Sequence, residues 1–532
     1  MESLKEKSYK IISASAATLD TLARPAVKHS HKLMIEGSSQ IESSLNSFLN
    51  NMQVSSPERL SWVFKGLKKA NSSLQKLTRT RISMSYEDSM GFVQGVENYL
   101  TSEQISLENY FKENNLKVHH NWIFSDENRQ IIKELNKLIA DLTKDIKTIP
   151  YHKIWQYCMA YVYIQKHARR SIWKAPILHQ SQDMVEGARN LKYYTKYAIA
   201  IYGKILVSAL IEKSLQDLLL KEDEDIFCSY VGINKILLVY SHMGSRRGIP
   251  SHIISIDILR KAVVVTIRGT QSIFDCMTDL KSDYCKYTFF DPKSGEPLST
   301  GLVHSGILQS SWQLSSEIKS IVLSCLSDWN GFSVVLVGHS LGAAVSSMLA
   351  LIWLSDHDFA DVSIVAYAYA PPPLVTRELN VLLEKRVYSC IFGNDIVGRL
   401  CYGSVQDLAE MIHFFYRKEN EDPSFSASSI ATEWLYDINN DPSKLLGLYN
   451  EIKNSFKAIK LEPPGQILQV YNKYKHSDHV LFPLCEDDIS GSYVDGSFYS
   501  EIILDKTCFL DHLPQTYEES ILAMPIQAYH HD

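Results

Sequence analysis

From Ser333 to Leu354 the chain carries no Asp, Glu, Lys or Arg, and the centre of that stretch reads Gly338-His339-Ser340-Leu341-Gly342. An uncharged run of this length belongs either in a bilayer or in the middle of a folded domain, so it constrains the fold more than any other segment. The central glycines, histidine and serine make a poor membrane helix. They suit a strand at Ser333–Val337, a tight turn, and an apolar helix at Ala343–Leu354. G-x-S-x-G in that setting is the signature of a nucleophile elbow: the serine sits on a strained turn, and glycines at the flanking positions let strand and helix close on each other. Ala343 and Ala344 keep the approach open.

The rest of the chain from about residue 185 has the same character. Short runs rich in Val and Ile, at Ala262–Ile267, Val362–Tyr369 and Val387–Phe392, alternate with helical stretches, and Glu501–Leu504 reads as a last strand. The pattern predicts an α/β class, specifically an α/β-hydrolase fold: a mostly parallel sheet with helices on both faces. Ligands in such sheets lie at the carboxyl ends of the strands. A polar interval from about Tyr402 to Pro464, which includes Arg417–Ser429, has no obvious strand and reads as an insertion.

Residues 1–184 predict a helical N-terminal region. Within Asn128–Ile149, Ile131, Ile132, Leu135, Leu138, Ile139 and Leu142 recur at helical spacing. A second helix, Pro57–Thr80, is announced by Ser56 as N-cap and Pro57 at its first position. Arg59, Lys65, Lys68, Lys69, Lys76, Arg79 and Arg81 make its polar side basic, with Trp62 among them. Such a helix either docks on a neighbour with a solvated basic face or rests on an anionic membrane surface. Two domains are thus expected, 1–184 and 185–532, the second interrupted around 402–464.

The chain is 532 residues long, 45% hydrophobic and 21% charged, which fits a folded globular protein and excludes collagen-like or wholly disordered classes. Its net charge of −6 offers no global basic field for nucleic acid. The 9 cysteines are odd in number and form no CxxC pair or Cys/His cluster of metal-ligand spacing, so reduced thiols in a cytosolic setting are expected, with no metal. Charge within Met1–Lys7 argues against a secretory signal.

A serine hydroxyl needs a base to attack, and in this fold the partners follow in the order Ser, Asp or Glu, His. Asp395, in Gly393-Asn394-Asp395-Ile396-Val397 just past the strand Val387–Phe392, meets the order first; Asp407 and Asp422 are its rivals. The later histidines are His413, His476, His479, His512, His530 and His531; His413 falls in a predicted helix, while His530 and His531 lie at the terminus. His479 precedes the apolar Val480-Leu481-Phe482, and His512 opens Asp511-His512-Leu513-Pro514, a loop-to-helix turn suited to a base. His512 is preferred over His479. The tetrahedral intermediate needs two backbone donors. Leu341, after the nucleophile, offers one, and Thr270, where Ala262–Ile267 runs into Arg268-Gly269, offers the other.

Taken together, Ile267-Arg268-Gly269-Thr270, Val303-His304-Ser305-Gly306, the elbow, Asn394-Asp395-Ile396-Val397 and Asp511-His512-Leu513-Pro514 resemble the class 3 lipases, and more narrowly the sn-1-specific diacylglycerol lipases. Tyr193–Tyr197 leading to Tyr202-Gly203, Thr278–Leu280 and Pro463-Pro464-Gly465 add to the resemblance, which covers roughly residues 185–525. It implies Ser340 as nucleophile, Asp395 and His512 as its partners, and Thr270 and Leu341 at the oxyanion hole, with no metal or organic cofactor. It implies further a diacylglycerol substrate cleaved at the sn-1 ester. Phospholipase A1, triacylglycerol lipase and acyltransferase activities remain open on the same residues, as does a lipase-like interaction protein. The polar, amphipathic N-terminal region differs from the membrane-helix bundle of the animal enzymes, so attachment is expected to be peripheral. Gln271-Ser272-Ile273-Phe274 and the insertion are expected to cover the site.

Overall fold

The computed structural model describes residue 149 and residues 151–172, 182–203, 222–244, 249–270, 283–430, 442–472, 489–503, 508 and 511–525. All of them lie within one compact unit, Lys133–Asp532. The basic helix expected at Pro57–Thr80, nearly all of Asn128–Ile149, the segment Gln271–Phe274, and His479, His530 and His531 lie outside the described residues.

At the centre is an 8-stranded sheet in the order β1-β2-β3-β6-β7-β8-β9-β10. Its strands are β1 (Leu238–His242), β2 (His252–Asp257), β3 (Ala262–Ile267), β6 (Ser333–His339), β7 (Ile364–Tyr369), β8 (Val387–Phe392), β9 (Gln466–Asn472) and β10 (Ile489–Val494). A separate hairpin is made by β4 (Tyr284–Phe290) and β5 (Pro297–His304). The pairs from β3 through β6, β7 and β8 to β9 are parallel, and antiparallel pairs β1–β2, β2–β3 and β9–β10 flank them. This is the mostly parallel sheet, with helices packed on it, that the sequence pattern predicts.

Strand β3, Ala-Val-Val-Val-Thr-Ile, is buried at every position. A continuous β-branched run of that kind is stable only where both faces of the sheet are covered. Alternate residues serve the two faces. Val264, Val335, Val337, Tyr367 and Tyr369 pack with Leu191, Tyr194 and Tyr197 of helix α2 (Gln182–Ala200), and Tyr517 and Ile521 of the last described helix join the same cluster. Helices α4 (Ser305–Asp328) and α5 (Leu341–Leu354) cover the other face, α5 lying on β6 and β7. Between those two helices the indole N–H of Trp353 donates to Ser315 Oγ at 2.8 Å, which satisfies the polar atom of a fully buried side chain. The Ser333–Leu354 run is therefore a strand, an elbow and a helix. Among the described residues no helix is long and apolar enough to cross a membrane.

Glu501–Leu504, expected as the last strand, is not one: the sheet ends in β9 and β10, and Glu501–Ile503 run without strand structure. Their main-chain acceptors are taken by side chains instead of a ladder. Arg399 Nη1 donates to the carbonyls of Phe498 (2.7 Å) and Glu501 (3.4 Å), and Gln165 Nε2 donates to Ile502 O at 2.8 Å. An Ile-Ile pair can look like a strand in sequence when it is an irregular segment held by long polar side chains.

The interval 402–464 contains helices α7 (Tyr402–Glu421) and α8 (Pro442–Ser455) and, among the described residues, no strand. Between α5 and α7 lie β7, α6 (Arg377–Leu383) and β8. Helix α1 (Tyr151–Ile172), upstream of the expected boundary at 184/185, packs on α7 and α8. Tyr157 stacks on Phe415 with centroids 5.6 Å apart, and Lys153 Nζ and Tyr157 OH both donate to Glu419 Oε2, at 2.8 and 2.9 Å. The carboxylate of Glu501 joins three parts of the chain. It accepts from Tyr161 OH (2.5 Å) and Gln165 Nε2 (2.6 Å) of α1, and from Tyr449 OH (2.6 Å) and Lys453 Nζ (3.0 Å) of α8.

Candidate active site

Strand β6 delivers Ser340 between itself and α5 in a conformation that L-residues rarely adopt, φ 59° and ψ −127°. Such a backbone costs on the order of 1–3 kcal/mol and persists only where its surroundings over-determine it. Here Ser340 N–H donates to Tyr369 O of the neighbouring strand at 2.8 Å, while its carbonyl accepts from Ala343 and Ala344 as the helix starts. The two flanking glycines are required by space. A Cβ on Gly338 would lie 2.3 Å from Gly342 C, and one on Gly342 would lie 2.2 Å from Ile267 O.

Asp395 follows β8, and His512 lies in the loop that opens helix α9 (Pro514–Ala523). The three side chains meet. His512 Nε2 is 2.9 Å from Ser340 Oγ, and His512 Nδ1 is 2.9 and 3.0 Å from the two Asp395 oxygens. All three residues are buried. A carboxylate only accepts, so Nδ1 carries the proton, and neutral Nε2 is left to accept from the serine hydroxyl. Asp395 is itself held from two further sides: Val397 N–H donates to Oδ1 at 2.8 Å and Tyr517 OH to Oδ2 at 2.5 Å. Tyr517 OH also accepts Phe392 N–H at 3.0 Å. Burial, and then the nearby Asp395 charge, hold the Tyr517 phenol well above its ordinary range, so it acts as a neutral donor.

The loop carrying His512 is tied to the loop carrying Asp395 through the main chain. Asn394 N–H donates to Asp511 Oδ2 at 2.8 Å, and Ile396 N–H to Cys508 O at 3.2 Å. Arg399, in the 3₁₀ turn just after Asp395, reinforces the link through its bonds to the 498–501 segment and stacks over Phe498 and Tyr499, 5.0 and 4.8 Å from their centroids. Burial pushes its guanidinium down to about 10.

Leu341 directly follows the serine, and Thr270 directly follows Gly269 past the end of β3. Leu341 is the first residue of α5, where helix N–H groups lack intrahelical partners. Gly269, just before Thr270, runs so close to the elbow that a Cβ there would meet His339 O at 2.5 Å and Ser340 Cβ at 3.1 Å. The rival acids lie elsewhere. Asp407 pairs with Lys460, and Asp422 caps the exposed turn after α7 through Ser424. His413 is in α7, as its helical setting predicts.

Sequence reasoning missed Tyr517 and Asp511 as partners of the acid loop. It also gave no role to His339, whose ring packs beside His512, or to Tyr202, whose ring packs edge-on to His339. The only local sign was the position of His339 inside the elbow motif.

Residues 264–404 match the family model described as "Lipase (class 3)". Mouse diacylglycerol lipase-beta is 30% identical over 163 residues, covering 30% of this chain and 23% of that protein. Rat diacylglycerol lipase-alpha is 22% identical over 289 residues, covering 50% of this chain and 26% of that protein. The matches thus span about a quarter of those relatives' length. The secreted mono- and diacylglycerol lipase 1 of Fusarium solani is 27% identical over 176 residues, 32% of this chain and 49% of that protein. Among solved structures, the triacylglyceride lipase of Rhizomucor miehei is 19% identical, covers 42% of this chain and 77% of that chain, and gives a TM-score of 0.31. The class 3 lipase match thus runs from β3 to the start of α7, and the relatives named diacylglycerol lipase match 30% and 50% of the chain, in keeping with the resemblance carried by the motifs.

Proposed function

We propose that the chain is a serine lipase that cleaves the sn-1 ester of diacylglycerol to a 2-monoacylglycerol and a fatty acid. The observation that carries the reading is the unbroken hydrogen-bonded run from Ser340 through His512 to Asp395, buried at the carboxyl end of a parallel sheet. In the first step Ser340 Oγ attacks the ester carbonyl while His512 Nε2 takes its proton, and Asp395 holds the imidazole tautomer and the cation that forms. The N–H groups of Thr270 and Leu341 receive the oxyanion. Collapse expels the glyceride alkoxide, which takes the proton from His512, and leaves an acyl-serine. Water, deprotonated by the same imidazole, then releases the fatty acid and restores Ser340. These steps call on no metal or organic cofactor.

The glyceride assignment rests on the relatives, which are named for diacylglycerol. In this reading residues 185–532 carry the hydrolase site, and residues 1–184 contribute helix α1, which packs on α7 and α8, and ahead of that helix the surface-binding or regulatory part. A two-chain glyceride is dissolved in a bilayer, so the enzyme works peripherally at a membrane on the cytoplasmic side, with the basic segment 57–80 drawn to anionic lipid at roughly 1 kcal/mol per cation. Because Ser340 is only 1% exposed, an ester reaches it after a covering segment moves. Residues 271–274 and the 402–464 interval are the segments assigned to that role.

The test pairs a fluorophosphonate label with a lipid panel. Wild type should label and hydrolyse diacylglycerol in vesicles, and Ser340→Ala should do neither. Undiminished hydrolysis by Ser340→Ala removes the triad reading, whereas a clear preference for phospholipid or triacylglycerol removes only the substrate.

A further inference from the structure

The second residue of the elbow motif takes no part in the proton transfers, yet it occupies a specific place among them. The His339 ring is buried between Tyr202 and His512: Nδ1 lies 2.9 Å from Tyr202 OH and Nε2 lies 3.0 Å from the main-chain oxygen of His512. A carbonyl oxygen only accepts, so Nε2 carries a proton and donates to it. Burial, and then the neighbouring His512, hold His339 well below the usual imidazole range, which leaves Nδ1 as a lone-pair acceptor for the Tyr202 hydroxyl. Both hydrogen bonds therefore have one direction each: the His512 carbonyl fixes the tautomer, and the Tyr202 hydroxyl donates to the nitrogen left without a proton. The ring also sits 5.0 Å from the His512 ring and edge-on to Tyr517 at 5.5 Å.

Tyr202 reaches a third part of the machinery. A Cβ on Gly269 would lie 2.6 Å from its hydroxyl, so the tyrosine packs directly against the loop that leads to Thr270. The elbow, the oxyanion loop and the His512 loop thus converge on one pair of side chains.

We infer that His339, braced at Nδ1 by Tyr202, is the positioning residue for His512, holding its main-chain carbonyl so that the imidazole stands at bonding distance from Ser340 and Asp395 at once. The inference rests on the triad reading above. The imidazole of His512 has two targets, and its position follows from where its own backbone lies. Asp511 fixes one side of that backbone, through Asn394, and His339 fixes the residue itself. An imidazole suits the position because it is a donor on one edge and an acceptor on the other while carrying no charge beside the cation that forms on His512.

A misplacement of about 1 Å at a reacting group costs on the order of 10²-fold in rate. His339→Leu, which leaves the His512 carbonyl without its donor, should lower kcat of the full-length chain on a water-soluble p-nitrophenyl ester by about 10²-fold per folded molecule, with KM changed less than about threefold. His339→Gln, which keeps an N–H donor, should recover at least about tenfold of that loss, and Tyr202→Phe, which removes the hydroxyl that braces the ring at Nδ1, should lose about three- to tenfold. In the His339→Leu background, Tyr202→Phe should add nothing. Folded protein is counted from thermal unfolding of each variant.

A kcat for His339→Leu within about threefold of wild type, no recovery in His339→Gln, or a fully multiplicative double variant would each overturn the inference. Where His339→Leu does not fold, Tyr202→Phe decides: an unchanged kcat overturns it and a selective loss of kcat supports it. Ser340→Ala separates the two layers. If that variant is dead while His339→Leu is normal, only the positioning role fails. If that variant stays active, the triad reading fails and this inference falls with it.

Discussion

Replacing Gly342 with alanine adds a single methyl group where the structure has no room for it. That carbon would stand 2.2 Å from Ile267 O, 2.8 Å from Arg268 C and 2.9 Å from Gly269 N, all main-chain atoms at the end of β3. Ordinary contact begins near 3.4 Å, so the β3 end and the elbow must separate by about 1 Å. Backbone held in a parallel sheet yields less readily than a side chain. Overpacking of this kind costs about 1–3 kcal/mol, and the upper end applies because the clashing atoms belong to two main-chain segments. Alanine in place of glycine near the start of a helix returns up to about 1 kcal/mol of propensity, leaving a net loss of roughly 1–2 kcal/mol. The effect on rate should be larger than the effect on stability. The displaced segment leads directly into Thr270, and a 1 Å shift between Ser340 and an oxyanion donor should lower kcat/KM by about 10²-fold. Urea unfolding reports the first quantity, and p-nitrophenyl butyrate hydrolysis, normalised to folded protein, reports the second. A variant as stable as wild type and within about threefold of its activity would show that the loop gives way freely, and the argument from close approach would be wrong.

Ser340→Gly should abolish activity and raise stability by about 1 kcal/mol, because glycine adopts φ 59° without strain; equal or lower stability in urea would refute the strain at the elbow. Tyr517→Phe removes a hydroxyl that bonds both Asp395 and Phe392 N–H, so it should cost about 1.5–3 kcal/mol of stability and about tenfold in kcat, and an unperturbed variant would mean that Asp395 does not depend on it. Glu501→Gln should destabilise by about 3 kcal/mol, since an amide cannot accept from all four of its donors. Burial opposes ionisation of Glu501, but the Lys453 charge and hydrogen bonds from Tyr161, Tyr449 and Gln165 prevail and lower its pKa. The folded chain then binds that proton more weakly than the unfolded chain does. The stabilisation is present above the ordinary glutamate value of about 4.3 and is lost as pH falls through the folded value, so the gap between wild type and Glu501→Gln should narrow below about pH 4. A gap independent of pH would refute the assignment.

The parts of this fold that could be read from the chain are those where one residue type dominates a short stretch. Strand β3 and strand β8 follow their Val- and Ile-rich runs, and the elbow follows its two glycines because main-chain atoms approach there within contact distance. Strand β9, Gln-Ile-Leu-Gln-Val-Tyr-Asn, was overlooked because Gln469 breaks its apolar character. The structure meets that side chain with Gly393 O, at 2.9 Å, and the Tyr499 hydroxyl. Strand β10 carries Ser490, Gly491 and Ser492, weak strand formers by themselves, and acquires its register from β9. The Ile502-Ile503 pair misled in the other direction, since Gln165 claims the Ile502 carbonyl and Arg399 the adjacent Glu501 carbonyl, both from far away in sequence. The same distance in sequence hides Tyr517 from Asp395 and Tyr202 from His339: each pair is made by packing of helices on the sheet, and no local spacing encodes it.

The contacts of helix α1 have a practical consequence for dividing the chain. A fragment begun at residue 185, where the sequence pattern changes, would strip Tyr157 from Phe415 and remove two of the four donors to Glu501, leaving a carboxylate half-solvated beside the segment that leads to His512. The smallest piece expected to fold and express well begins no later than Tyr151. Its N-terminal helix serves as a buttress for the insertion, and trimming that helix should shorten the protein's shelf life before it alters any atom of the triad.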